Sequence, residues 1–360
     1  MSTTATLPSS TTCTHPNPGK NGYLPPDACD VILFYIPSLG AAILFTILFG
    51  ITFIAFGVQA FIYRKKYSWV IMMGASWECL AFVFRALLTR HQSNGGYNTT
   101  FTLLFYLAPL WINAFLYMTL GRLIYFLVPE QRLAGIPATR YGVIFIWLDI
   151  IAFIIQAAGA LITTDTDAST KLVMIGVHIY MGGIGLQQLF IIIFTFLFIR
   201  LHHKLRFIEQ TGALRPDKTD EKARPWRWLI YVMYFGLFMI TVRIIFRLCQ
   251  YSRGTDPNNP VLTHEFYEYV FDAVPMLLAL LALNLIHPGM VLRGVGSEFP
   301  SVSWKEKRRQ RRADRERKKQ SKLNGSDDPR DIFGSLSIQE GGSTLEAMHH
   351  DSYWATGQPR

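Results

Sequence analysis

Charge is what this sequence has least of. Only 17% of its 360 residues are Asp, Glu, Lys or Arg, against 50% hydrophobic and a mean hydropathy of +0.23. A chain this long and this poor in charge cannot dress a soluble globule, so a soluble single-domain fold is excluded. Gly-x-x-x-x-Gly-Lys-Ser/Thr is missing, which excludes a nucleotide-binding loop of the chain's own and, with it, direct ATP-driven pumping. The nine histidines offer no His-Glu-x-x-His pair: His178, His264 and His287 are scattered, and an intramembrane zinc hydrolase would need ligands that converge only in space. No metal, cofactor or catalytic residue is therefore read, and the chain is not expected to be an enzyme. Cysteine is scarce as well. Cys79 and Cys249 lie singly in apolar surroundings and read as core fillers, whereas Cys13 and Cys29 are a possible disulfide. The first 30 residues have no basic start followed by an apolar core, so no cleavable signal peptide is read and the first span is expected to do the targeting.

What the chain does have is long apolar runs. About 20 such residues cross a bilayer as a helix, and seven runs of that order come one after another: Tyr35 to Tyr63, Trp69 to Thr89, Phe101 to Val128, Tyr141 to Ile162, Leu172 to Ile199, Arg227 to Cys249 and His264 to His287. The fold class expected is an all-α integral membrane protein, a seven-transmembrane helix bundle. Residues 1–34 form a segment before it, 35–287 the membrane domain, and 288–360 a basic then polar tail expected to be disordered. Positive joins stay cytosolic. Three joins carry 3, 2 and 8 Lys or Arg and the tail 14, while the other side holds only Lys20, Arg90, Lys171 and Arg253, which places the N-terminus outside and the C-terminus in the cytosol. Asn98-Thr99-Thr100 is a glycosylation acceptor triplet on the outer side, and Asn324-Gly325-Ser326, in the cytosolic tail, should stay unmodified.

Net charge is +10, yet eleven Lys or Arg against Glu306, Asp314 and Glu316 are packed between Lys305 and Lys322. A basic run directly after a last span reads as a segment drawn to anionic lipid of the inner leaflet, or simply as a solvated helix; it gives no reason to expect a nucleic-acid partner.

Ionisable groups inside hydrocarbon need a partner or a wet cavity. They are Glu78, Arg85, Arg122, Asp149, Arg243, Arg247, Glu265, Glu268 and Asp272. At about 1.5 Å per residue, Arg247 and Glu268 lie about 5 and 6 Å from the outer surface and Arg243 and Asp272 about 10 and 12 Å, which suggests two level pairs. Arg122 and Asp149, about 9 and 12 Å from the cytosolic end, suggest a third. Glu265 is expected at the wet outer mouth. Glu78 and Arg85 are then left without partners on other helices, and Glu78 becomes a candidate for exchanging protons or holding a cationic head group. The three pairs would serve packing or transport equally well. Gln156 lies beyond Asp149 on one face, Gln187 and Gln188 come after Gly182, Gly183 and Gly185 in a stretch that would let a neighbouring helix approach, and Pro109 and Pro275 free backbone carbonyls within their spans.

Together these motifs resemble the fungal lipid-translocating exporter family, the RTA-like proteins, over Tyr35 to Gly289. Glu78 with Arg85 is similar to the family's second span, Ala108-Pro109-Leu110 with Tyr117 and Leu120-Gly121-Arg122 to its third, Asp149 with Gln156 and Gly159 to its fourth, and Gly183 with Gln187 to its fifth. Arg243-Ile244-Ile245-Phe246-Arg247 is similar to the sixth-span signature. His264-Glu265, Tyr269, Phe271-Asp272-Ala273, Pro275-Met276 and His287-Pro288-Gly289 are similar to the seventh. Ala81-Phe82 stands where the family has Gly-Tyr, and Gln250 where it has an acid, which bears on the substrate more than on membership. The resemblance implies a plasma-membrane protein that moves amphiphiles such as sphingoid bases from the inner to the outer leaflet or confers resistance to toxic lipophilic compounds; members are also linked to tetrapyrrole traffic. Membrane lipids or amphiphilic small molecules are then the partners. A seven-span lipid-sensing receptor has the same topology and is the rival reading.

Overall fold

A computed structural model describes residues 35, 37–163, 169–212, 225–252, 261, 264–293, 299, 309, 312, 313 and 316. Cys13, Cys29, Asn324 and most of the 305–322 run lie outside the described residues. The described residues up to Phe299 belong to one compact unit, and Arg309, Arg312, Ala313 and Glu316, of a second unit, are helical.

Seven helices are long and apolar enough to cross a bilayer: α1 (Leu39–Tyr63), α2 (Ser68–Arg90), α3 (Gly95–Leu127), α4 (Ala138–Thr163), α5 (Thr170–Gln210), α6 (Trp226–Tyr251) and α7 (Glu265–Val291). The seven-helix, multi-pass expectation holds, and two boundaries move for physical reasons. Asn94 caps α3 by accepting from the backbone N–H of Gly96 and Tyr97, so the helix starts six residues before its apolar run. The Asn98 triplet is consequently wound into the first turn, with the Thr100 hydroxyl donating to the Gly96 carbonyl. At its other extreme α5 runs eleven residues past Ile199, because Leu201, Leu205 and Ile208 continue its buried stripe between the charges. At about 1.5 Å per residue it is about 60 Å long, twice the hydrocarbon thickness, and its last turns leave the bilayer.

Two joins on that basic side, residues 64–67 and 128–137, are short and tied down. Between α3 and α4 a two-residue hairpin pairs β1 (Arg132–Leu133) with β2 (Ile136–Pro137), and the left-handed φ of Ala134 and Gly135 matches the turn such a hairpin needs. Lys204 on α5 reaches across to Glu130 at 2.7 Å, and its hydrogen bond holds that exposed carboxyl below the usual carboxylate range. His287 closes the end of α7: its ring stacks on Tyr63, its Nδ1 accepts from the Gly289 N–H, and its Nε2 lies 3.3 Å from Ser68 Oγ. The His287-Pro288-Gly289 motif is thus a clasp between the ends of α1, α2 and α7. A Cβ on Gly289 would sit 2.7 Å from Tyr63.

Helix α3 is the centre, with 56% of its most apolar window buried inside the protein; α4, at 22%, is mostly turned outward. Around α3, Phe45 and Phe49 of α1, Phe82 of α2 and Phe101 and Phe105 of α3 form a stacked aromatic core. Helices α4 and α5 meet backbone to backbone. A Cβ on Gly159 would lie 2.7 Å from the Gly176 carbonyl oxygen, and one on Gly183 2.7 Å from Gln156 Cγ. Gly182 and Gly185 face open space, so of that glycine cluster only Gly183 serves close approach.

Gly183→Leu should therefore lower stability by about 1–3 kcal/mol through overpacking, while Gly182→Ala should be neutral or stabilising by about 0.5–1 kcal/mol. Thermal unfolding of the purified protein in detergent checks both. Equal losses at the two positions would mean that α4 and α5 do not pack through Gly183.

Candidate functional site

Polar side chains in the helix core gather at three levels. Nearest the end away from the basic joins, Arg85 of α2 is buried against the aromatic face of Phe101 and reaches Glu265 at 3.0 Å and Glu268 at 3.6 Å. It also donates to the Tyr35 hydroxyl, which in turn donates to Glu268. The second Glu265 oxygen accepts from the Ser38 N–H at 2.7 Å, tying the start of α1 into the same group. Arg85, expected to be without a partner, therefore has two, and Glu265 is an ion-pair member instead of a freely solvated mouth residue.

About one turn deeper, Arg243 and Arg247 of α6 both bind Asp272 of α7, one on each carboxylate oxygen. The Arg243 to Asp272 pair is the one expected from depth. Arg247 to Glu268 is not made, and the reason lies in the backbone. Tyr269–Ala273 is a π-helical turn shortly before Pro275, and its extra residue rotates the start of α7 relative to the rest of that helix. Glu268 and Asp272 are four apart in sequence yet serve different helices.

Arg243 also donates through Nη2 to the Phe105 carbonyl at 3.0 Å. That oxygen would ordinarily accept from the N–H four residues on, which is Pro109 and has none. Arg247 donates to the Tyr106 hydroxyl at 2.8 Å and stacks over its ring, and the Tyr106 and Tyr251 hydroxyls are 3.2 Å apart.

The third level is near the middle of the bundle. Asp149 of α4 accepts from Asn113 at 3.1 Å and from Tyr117 at 3.0 Å, both on α3, and both to the same oxygen; the other oxygen is buried without a hydrogen bond among the described residues. The expected Arg122 to Asp149 pair is absent. Five residues beyond Tyr117, Arg122 is turned about 140° around α3. Its guanidinium lies 3.8 Å over the Tyr67 ring and 5.1 Å from that of Phe299, at the basic end. Next to Asp149's level, Gln156 donates to Gln187 across the α4–α5 contact at 3.0 Å.

Glu78 stands apart from these groups. It is wholly buried, and neither carboxylate oxygen has a hydrogen bond among the described residues. Of the residues singled out from sequence, Gln156, Gln187, Arg243 and Arg247 line one small chamber of about 40 Å³ between α3, α4, α5 and α6, together with Asn113, Tyr106 and Pro109. Arg85 and Glu268 lie in the outer group, Asp272 behind the chamber wall, and Arg122 at the far end. Sequence reasoning misses Asn113, Tyr106 and Tyr35. Asn113 had a findable signal, since it sits four residues before Tyr117 on one face of an apolar helix. Among the described residues no three His, Cys, Asp or Glu side chains group as a metal site.

The family model described as RTA1 like protein matches residues 71–295. A probable lipid transporter, atnI of Emericella nidulans, is 54% identical over 85% of this chain and 81% of its own. The protoporphyrin uptake protein 1 of Saccharomyces cerevisiae is 27% identical over 72% of this chain and 92% of its own. A sphingoid long-chain base transporter of the same species, RSB1, is 25% identical over 74% and 75%. No solved structure matches the chain.

Removing the carboxylate that two buried guanidiniums share leaves both uncompensated. Asp272→Asn should cost about 3–5 kcal/mol, whereas Lys204→Gln, which breaks an exposed pair, should shift the unfolding temperature little. Thermal unfolding in detergent separates the two, and an unshifted Asp272→Asn would show that the bridge does not hold α6 to α7.

Proposed function

The chain belongs to the RTA1-like family, and on that premise we propose that it carries lipids or lipophilic amphiphiles, sphingoid-base-like, sterol-like or toxic, from the inner to the outer leaflet of the plasma membrane. The observation that carries the proposal is the chamber lined by Arg243, Arg247, Asn113, Gln156 and Gln187 inside a helix bundle. A head group crossing about 30 Å of hydrocarbon needs polar contacts on the way. The three levels supply them in series: Tyr35, Arg85, Glu265 and Glu268 at the outer end, then Arg243, Arg247 and Asp272, then Asp149 with Asn113 and Tyr117 beside Gln156 and Gln187. Glu78 completes the route as a wholly buried carboxylate whose oxygens no donor among the described residues satisfies. An unsatisfied buried carboxylate costs the fold, which supports a role in handling a ligand or proton.

The N-terminus is assigned outside and the C-terminus to the cytosol, because Arg64, Lys65, Lys66, Arg132 and the polar end of α5 share one side. The 305–322 run then meets anionic inner-leaflet lipid. No catalytic step is assigned to any residue, in keeping with relatives named as transporters and an uptake protein.

Liposomes holding the purified protein should move fluorescent amphiphiles, a sphingoid base among them, between leaflets faster than empty liposomes do. Glu78→Gln should slow this by roughly tenfold or more, equivalent to about 1.4 kcal/mol on the barrier, without lowering the unfolding temperature. Failure of the wild type across the panel would favour the lipid-sensing receptor. In intact cells an impermeant antibody should reach an N-terminal tag directly and a C-terminal tag only after permeabilisation; the reverse pattern would invert the assigned topology.

A further inference from the structure

We propose that the chamber selects its substrate by negative charge, taking a phosphate or carboxylate carried on an apolar body and holding it with Arg243 and Arg247. This rests on the translocation reading and narrows its substrate class, ranking anionic head groups above the amine of a sphingoid base.

Two guanidiniums present roughly ten N–H donors. The acceptors they meet are the two oxygens of Asp272, the Phe105 carbonyl, the Tyr106 hydroxyl and, at 3.4 Å, Gln250. Nη1 of Arg243 and Nε of Arg247 make no hydrogen bond among the described residues. Within the direct ion pairs two cations meet one carboxylate. Among the described residues no Asp or Glu lines the chamber: Asp272 is fully buried and paired with both arginines, and Asp149 is bonded to Asn113 and Tyr117. Glu78 is within electrostatic range of both guanidiniums, but it neither lines the space nor bonds to them. The rest of the polar lining adds donors. Gln156 gives its amide to the Gln187 carbonyl, which leaves the Gln187 amide for a ligand.

An amine entering this space would meet two like charges at short range in a medium of low dielectric, and a phosphate or carboxylate would meet the missing acceptor. The apolar body has its own room. A second chamber of about 200 Å³ shares Tyr106 and Tyr180 with the first and is bounded otherwise by uncharged residues, among them Ala160, Val177 and Tyr251. The pair of spaces fits an amphiphile better than a free inorganic anion.

Binding tests this without requiring transport. The full chain in nanodiscs is titrated with fluorescent alkyl phosphate, alkyl carboxylate and alkylamine of one chain length. Phosphate and carboxylate should bind at least about tenfold more tightly than the amine. Gln187→Glu, which adds a negative charge to the lining without touching an ion pair, should weaken phosphate binding about tenfold, while Gln187→Lys should preserve it; unchanged unfolding temperatures show that neither variant misfolds. Equal or tighter binding of the amine, or indifference to Gln187→Glu, overturns the proposal. Inorganic phosphate should displace the alkyl phosphate only at large excess, and displacement at equal concentration would overturn the amphiphile assignment in favour of a free-anion site. Alkyl phosphate binding with no leaflet movement of any amphiphile would sink translocation and leave this site standing. Leaflet movement of amines with no preference for the phosphate would do the opposite.

Discussion

One carboxylate shared by two arginines in the middle of apolar helices is the constraint on which the rest of the bundle hangs. Asp272 holds α7 to α6 through both of its oxygens, and Arg243 carries the connection on to α3 through the Phe105 carbonyl. Charges this deep are tolerated only in company, so the three helices have little freedom to slide past one another without stranding a guanidinium in hydrocarbon. The aromatic core of α1, α2 and α3 packs against the arrangement, and the α4–α5 pair closes the other side through Gly159, Gly176 and Gly183.

The two charged levels mirror each other. At the one farther from the basic joins a single cation, Arg85, sits with two carboxylates, Glu265 and Glu268; at the next a single carboxylate, Asp272, sits with two cations. Over both levels the charges balance, but each taken alone does not, so the interior presents opposite signs at successive depths. The third level, around Asp149, uses neutral partners in Asn113 and Tyr117 and no arginine. Neither charged level pairs its groups one to one.

Much of this architecture is legible in the chain itself. Hydropathy located every span, because a run of twenty apolar residues is what a bilayer crossing demands, and counting depth along α6 and α7 matched Arg243 with Asp272. Depth alone failed for Glu268, since a π turn changes the face a residue presents and no periodicity announces it. It failed for Arg122 because equal height is not equal azimuth, and the aromatic rings of Tyr67 and Phe299 gave that cation another place to rest. Asn113 escaped notice because attention to charge passes over an amide. The outward run of α5 was missed for the converse reason, its lysines and arginines hiding an apolar stripe that never stopped.

Pro109 couples two helices through a donor it does not have. By intrinsic propensity it is damage to α3, and a good helix former there would mend the ladder by supplying the absent N–H to Phe105. The mended carbonyl would then have a second suitor, and Arg243 would compete for an acceptor it now holds alone. A flaw in one helix is thereby a ligand for another, and a substitution at position 109 changes the surroundings of Arg243, although nothing in the linear chain connects them.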